Sequence, residues 1–318
     1  MLRRTILAAP LAGLVLSACR ADDEPGLRLM VPNAPGSGYD ITARTVATTM
    51  DAASVKHGVE VFNLPGAGGM VGLRRLAYEQ GNGSLLMLMG LGLVGAQHTA
   101  PISVTLADVT PVARLIEEPE VVVVTQDSPL HTLDDLVRVW RADPAALAVG
   151  GGSSPGGPDH LAAMLMAKAA GIAPRTVRYS QYDGGGMLLG AVLSHGVAFA
   201  VSSLGELAGQ VDSGQLRVLA ATGRDRADRI DAPTLREAGL DVVFANWRGL
   251  VAPPGLTAAQ RAGRSAELEV LRRSPIWLEA VAGHRWTDSF LGGDDFGVFI
   301  QDQDRRVTQI LAELGLRT

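Results

Sequence analysis

Two short stretches of the sequence combine residue types and spacing suited to holding an anion. The first, Pro35-Gly36-Ser37-Gly38-Tyr39-Asp40, follows the apolar run Leu27, Leu29, Met30 and Val31 and precedes Ile41, Thr42, Ala43 and Arg44, in the order strand, tight turn, helix start. Glycine lets the backbone approach a ligand closely, and the first N–H groups of a helix lack intrahelical partners. Such a corner can hold a carboxylate without a cationic side chain. The second stretch, Gly152-Ser153-Ser154-Pro155-Gly156-Gly157-Pro158-Asp159, joins a predicted strand at 146–149 to a predicted helix at 160–170. Both contain Pro-Gly, a further Gly and an Asp at the expected N-cap. Glycine and proline make turns in every protein, but one such corner in each half of the chain allows the two to face each other across a cleft.

Other chemistries compete for the same residues. Gly152-Ser153-Ser154-Pro155-Gly156 matches GxSxG between a strand and a helix, the setting of a serine hydrolase nucleophile, and His284 lies downstream with aspartates between. A triad needs its base within hydrogen-bond reach of Ser Oγ, and the expected domain division sends His284 to the other lobe. Gly90-Leu91-Gly92-Leu93-Val94-Gly95 matches GxGxxG after a strand. A dinucleotide site needs a helix at once, and Pro101 with the largely β-branched run 102–105 argues instead for a mobile turn at the sheet edge. The six histidines show no metal spacing, and Cys19 is the only cysteine, so neither a zinc site nor an intramolecular disulfide is expected.

The elements that would position the two corners alternate between strand and helix. Strands are predicted at 27–31, 59–64 and 84–89 with helices at 41–53 and 70–78 between them, the order of a parallel sheet with crossover helices. Four consecutive valines, Val121 to Val124, demand burial on both faces and read as a strand crossing between lobes. The device then repeats, with a helix at 133–141, a third glycine turn around Tyr182 and Gly184, a strand at 197–201 ending in Ser202 and Ser203, and a helix at 207–211. Residues 215–222 read as the strand crossing back, 246–252 as a strand stopped by two prolines, and 258–273, 275–282 and 296–314 as closing helices. The expected fold is therefore α/β, with a discontinuous first lobe (27–121 and 224–318) and an inserted second lobe (122–223) joined by two crossover strands.

The 318 residues are 47% hydrophobic and 19% charged, the profile of about two globular domains. The net charge is −5, falling by two to −7 if Arg3 and Arg4 leave with a leader, and no basic run exists, so nucleic acid is not an expected partner. Residues 1–18 read as an export signal, with a positive start and an apolar run too short for the ~20 residues that span a bilayer. Leu16-Ser17-Ala18-Cys19 matches a lipobox, making Cys19 the lipidation site and residues 19–26 a tether. Arg3-Arg4 leaves Sec and twin-arginine export open.

With these residues in hand, the chain resembles the solute receptors of the tripartite tricarboxylate transporter family, the Bug-type periplasmic binding proteins. Pro35 to Asp40 is similar to the family's Pro-Gly-Gly-x-x-Asp turn, with Ser37 in place of the second Gly. Asn63-Leu64-Pro65-Gly66-Ala67-Gly68-Gly69 is similar to its Asn-x-Pro-Gly-Ala-Gly-Gly element, and Tyr182-Asp183-Gly184-Gly185 to its Pro-Tyr-x-Gly-Gly turn, with Gln181 replacing the Pro. Pro233-Thr234, Glu237 and Gly239, then Trp247 to Pro253, follow its later patterns. The resemblance implies a two-lobe type 2 periplasmic-binding fold that closes on a small mono- or dicarboxylate, without cofactor or metal, as a monomer serving tripartite transporter membrane subunits. It adds Gly66, Ala67, Gly68, Tyr182 and Gly184 to the expected contacts at Pro35, Gly36, Ser37, Gly38, Tyr39, Asp40, Gly152, Ser153, Ser154 and Gly156. Ser202 and Arg248 are expected farther along the pocket, Arg248 as the partner of a second carboxylate.

Overall fold

The computed structural model describes residues 26–100, 103–227 and 229–315. The chain begins β1 (Arg28–Val31), α1 (Gly38–Ala52), β2 (Glu60–Asn63), α2 (Met70–Tyr78), β3 (Leu85–Gly90) and α3 (Leu91–Thr99). β1 pairs in parallel with both β2 and β3, as βαβ crossovers require. All six residues of β3, LLMLMG, are buried, the pattern of a strand covered on both faces.

The 16-residue β4 (Thr110–Thr125) then runs through both lobes. After it come α4 (Leu133–Ala142), β5 (Val149–Gly151), α5 (Pro158–Ala169), β6 (Tyr179–Gln181), α6 (Gly185–Leu193), β7 (Phe199–Ser203), α7 (Leu204–Asp212) and β8 (Leu216–Ala221). The chain returns through β9 (Ala245–Ala252), α8 (Ala258–Arg273), α9 (Pro275–Gly283), β10 (Thr287–Gly292) and α10 (Gly293–Glu313). The first part of β4 pairs antiparallel with β9 and β10, the last part with β7 and β8. The strand path is β2-β1-β3-β9-β4-β7-β5-β6, so one strand belongs to both sheets of a two-lobe α/β fold. Among Val121 to Val124, successive side chains enter two different cores, Val121 and Val123 one and Val122 and Val124 the other. Period-two alternation puts a valine on each face in turn, and neither face meets water.

Helices at 70–78 and 258–273 have the expected limits, and several other elements differ instructively. The GxGxxG stretch is not a mobile edge turn: β3 lies inside the sheet and α3 starts immediately after it. Its glycines serve packing. A Cβ on Gly95 would collide with the Gly156 carbonyl of the opposite lobe, and one on Gly92 would lie 3.1 Å from the Tyr39 hydroxyl. Residues 112–115 and 120–125 form the single strand β4, and β10 pairs with β4 although it was not anticipated. Neither Asp40 nor Asp159 is an N-cap. Ser37 and Gly157 take those places, because each aspartate turns back to brace its own turn.

The lobes meet in this structure. Asn33 Nδ2 lies 3.4 Å from Asp183 Oδ1, and Lys168 pairs with Glu313 at 2.9 Å. Gly95 and Gly156 touch backbone to backbone, a contact that admits no side chain. Gly95→Val is expected to hold the lobes apart: small-angle scattering should give it a larger radius of gyration than the parent, with an unchanged far-UV circular dichroism spectrum. Equal radii would contradict the closed arrangement in solution.

Candidate ligand cleft between the two lobes

The first corner is held open by its own aspartate. Ser37 Oγ caps α1 by accepting the Asp40 N–H at 3.4 Å, which leaves the Asp40 carboxylate free to accept the Gly36 N–H at 2.9 Å, Arg44 Nε and Nη2 at 2.9 Å each, and Asn63 Nδ2 at 3.0 Å. Burial pushes this carboxyl up, but Arg44, the Gly36 N–H and Asn63 outweigh burial and hold it below the usual carboxylate range. Its charge is thereby neutralised away from the cleft.

The second corner repeats the arrangement. Asp159 accepts the Gly152 N–H at 2.7 Å, and its own N–H donates to Ser153 Oγ at 3.1 Å. The Tyr179 hydroxyl donates to the Ser153 carbonyl at 2.8 Å. His160 Nδ1 accepts the Gly156 N–H at 3.0 Å, and burial lowers that imidazole to about 4, so the ring is neutral at pH 7. Burial raises the Asp159 carboxyl, with the Gly152 N–H and Ser202 opposing.

Between the corners lies a cavity of about 50 Å³ walled by Ser37, Gly38 and Tyr39 of the first, Gly152, Ser153 and Ser154 of the second, and Gly68 and Gly184. A Cβ on Gly184 would lie 2.9 Å from Ser37 Cβ, and one on Gly68 3.2 Å from Ser154 Oγ, so each glycine turn lets the other lobe close. The backbone N–H groups of Tyr39, Ser153 and Ser154 have no hydrogen-bond partner among the described residues. Three donors from two lobes around one space are an arrangement for an anion.

The far wall holds the expected Arg248 together with carboxylates that sequence reasoning missed. Arg248, on β9, is 2% exposed. Its guanidinium pairs with Glu118, lies 3.7 Å from Glu206 Oε1, and donates to Ser203 Oγ at 3.2 Å and Thr42 Oγ1 at 3.3 Å. Glu206, in the first turn of α7, reaches across the cleft and accepts the Gly38 N–H at 2.7 Å. Burial pushes its carboxyl up to about 7; Asp159 and Glu118 add to the rise, and Arg248 and the Gly38 N–H oppose it. Burial also raises Glu120, behind this wall, well above the usual range. The available signal was in the sequence: Glu118 and Glu120 directly before four buried valines, and an arginine inside an apolar strand, demand mutual pairing.

The other predicted contacts are distributed around this centre. Gly66, Ala67 and Tyr182 line an outer groove of about 460 Å³ that shares Asn33, Gly68, Gly152 and Ser154 with the cavity. Pro35 and Gly36 are exposed, and Gly36 spends its N–H on Asp40. Gly156 packs on Gly95. Ser202 is buried at 1% beside Asp159 and does not line the cavity. Ser154 Oγ accepts from Gln181 Nε2 at 3.1 Å, whereas His284 lies 3.1 Å from Thr45 Oγ1 and stacks on Trp286. No Ser154–His284 dyad forms. Cys19, the leader and residues 20–25 of the tether lie outside the described residues, and among the described residues no helix is long and apolar enough to cross a membrane.

Two lobes sharing a crossing strand and closing on a cleft of glycine turns define a periplasmic solute-binding protein. The chain belongs to the Tripartite tricarboxylate transporter family receptor family, whose pattern matches residues 31–316. It is 27% identical to Protein BugT of Bordetella pertussis over 312 residues, covering 93% of this chain and 92% of that one. Its fold is that of MatC from Rhodopseudomonas palustris with bound malate (TM-score 0.79, 20% identity, 90% of this chain and 98% of that one). An R. palustris protein solved with adipate is also similar (TM-score 0.83, 19% identity, 92% and 98%). Family and fold are those of solute-binding proteins rather than enzymes, and they place the working protein outside the cytoplasm.

Asp40→Ala removes the brace of the first corner and deprives the Gly36 N–H, Asn63 and Arg44 of their shared acceptor. A loss of about 2 kcal/mol is expected at pH 7 in urea unfolding. Because the folded carboxyl is depressed, its contribution is present above the unfolded value and vanishes as pH falls through the folded one. Parent and variant should therefore converge in stability toward pH 2, and a difference that persisted undiminished there would contradict the assigned role.

Proposed function

We propose that this protein captures a small carboxylate between its lobes and delivers it to the membrane subunits of a tripartite tricarboxylate-type transporter. The observation that carries this reading is the set of unpartnered N–H groups of Tyr39, Ser153 and Ser154 around one cavity. Backbone donors at a helix start and in a glycine turn attract negative charge and require no cationic side chain. The malate and adipate in the two similar structures fit the same chemistry.

In this reading residues 27–121 with 224–318 form the first lobe and 122–223 the second, hinged where β4 and the return to β9 cross. Ser37, Gly38, Tyr39, Gly68, Gly152, Ser153, Ser154 and Gly184 contact the ligand directly. Gly66, Ala67 and Tyr182 shape its entrance, and Pro35, Gly36, Asp40, Gly156 and Ser202 hold those groups in place. Cys19 carries the lipid that keeps the receptor, as a monomer, beside its transporter.

A thermal-shift screen of the mature domain with small acids and their primary amides tests the proposal. At a hundred times Kd a ligand adds about 2.7 kcal/mol, which corresponds to a rise of roughly 4–5 °C for a chain of this size. Acids should stabilise and the matching amides should not. Stabilisation by neutral compounds alone would overturn the carboxylate assignment.

A further inference from the structure

The charges on the far wall restrict which carboxylate fits, an inference that rests on the carboxylate-receptor reading. Among the described residues Arg248 is the only lysine or arginine lining the cavity, and it is already matched. Glu118 pairs with it from β4, and Glu206 stands 3.7 Å away from α7. Asp159 also lines the cavity and Glu120 lies buried behind it. Glu118, Glu206 and Glu120 thus crowd one guanidinium, with the Tyr39 hydroxyl and the His284 ring its other titratable neighbours.

Glu206 itself sits where a second ligand carboxylate would be drawn. It holds the first N–H of α1, from Gly38, and a Cβ built on either Gly38 or Gly185 would collide with its oxygens. The carboxylate of α7 therefore fills the space between the starts of α1 and α6. An incoming second carboxylate would meet it at close range with no uncommitted cation, and like charges inside a protein repel strongly.

The same wall does have unmet hydrogen-bonding capacity. Arg248 Nε and Asn246 Oδ1 are buried without hydrogen-bond partners, and both residues line the cavity. A hydroxyl can accept from the first and donate to the second. The cavity volume, about 50 Å³, is a few times the roughly 10–15 Å³ that a single water requires on the same measure, which suits an acid of two to four carbons.

We infer that the cleft takes a small hydroxy-monocarboxylate, and that Glu206 is the specificity residue that excludes dicarboxylates by supplying a second carboxylate from the protein itself. The ligand's one carboxylate then meets the N–H groups of Tyr39, Ser153 and Ser154, and its hydroxyl meets Arg248 and Asn246.

Titration calorimetry with lactate, propionate, malate and succinate at pH 8 separates the possibilities, since at that pH Glu206, raised to about 7 by burial, is ionised. The parent should bind lactate about 100-fold more tightly than malate or succinate, and propionate about 10-fold more weakly than lactate, the loss of one hydrogen bond to a charged group. Glu206→Gln, isosteric and neutral, should raise affinity for malate and succinate relative to lactate at least about 10-fold. Glu206→Ala should act in the same direction, which guards against an artefact of the glutamine amide, and circular dichroism checks that both variants fold. A parent that prefers the dicarboxylates, or variants that leave the ratio unchanged, would overturn the assignment of Glu206 while leaving the carboxylate receptor intact. Binding of none of the four acids at any pH would sink both.

Discussion

Arg248 is a full charge buried at the crossing of the two lobes, and the surrounding structure is arranged to accommodate it. An unpaired guanidinium at that depth would cost several kcal/mol. Its position on β9 therefore requires Glu118 on β4, Ser203 at the end of β7, Thr42 on α1 and Glu206 on α7 to converge on one point. These groups come from both lobes. The ion cluster consequently fixes the angle between β4 and its neighbours and sets one end of the cleft at the α1 N-terminus. Glycine is required there because Gly38 lies against both Arg248 and Glu206.

The two corners show a second economy. Each uses an aspartate within the first turn of its helix to accept a backbone N–H from its own loop, Gly36 for Asp40 and Gly152 for Asp159. This ties the loop into a rigid shape and leaves other N–H groups of the same loop unpartnered. Asp40 is further neutralised by Arg44, whereas Asp159 stays deep and is pushed toward its neutral form by burial. One lobe thus offers a turn insulated from its own negative charge, and the other contributes acidity to the cavity. The electrostatic asymmetry of the cleft follows from this difference and from the reach of Glu206.

Much of the architecture was legible in the sequence because hydrophobic period and glycine placement are local signals. The strand of four valines, the β-α-β-α-β start and the two glycine corners follow from residue type and spacing alone. The role of α3 was not, since Gly90 to Gly95 carries three glycines, Gly90, Gly92 and Gly95, that weaken any helical expectation, and they make contact with Tyr39, Trp247 and Gly156 from elsewhere in the chain. The aspartates were misassigned as caps because an Asp at the second or third helical position and an Asp at the cap look alike until the loop N–H it serves is placed. Glu206 was missed for a related reason: its partner Gly38 is 168 residues away, and no local pattern marks a side chain that crosses from one lobe to the other.

The central claim is that backbone N–H groups from both lobes grip one carboxylate, and amide NMR reports on those groups directly. In ¹⁵N-labelled mature protein, titration with the acid that stabilises it most should move the amide protons of Tyr39, Ser153 and Ser154 downfield together, saturating at one ligand concentration. The primary amide of the same acid should leave them in place. Shifts confined to one lobe, or equal shifts with the amide, would contradict the account.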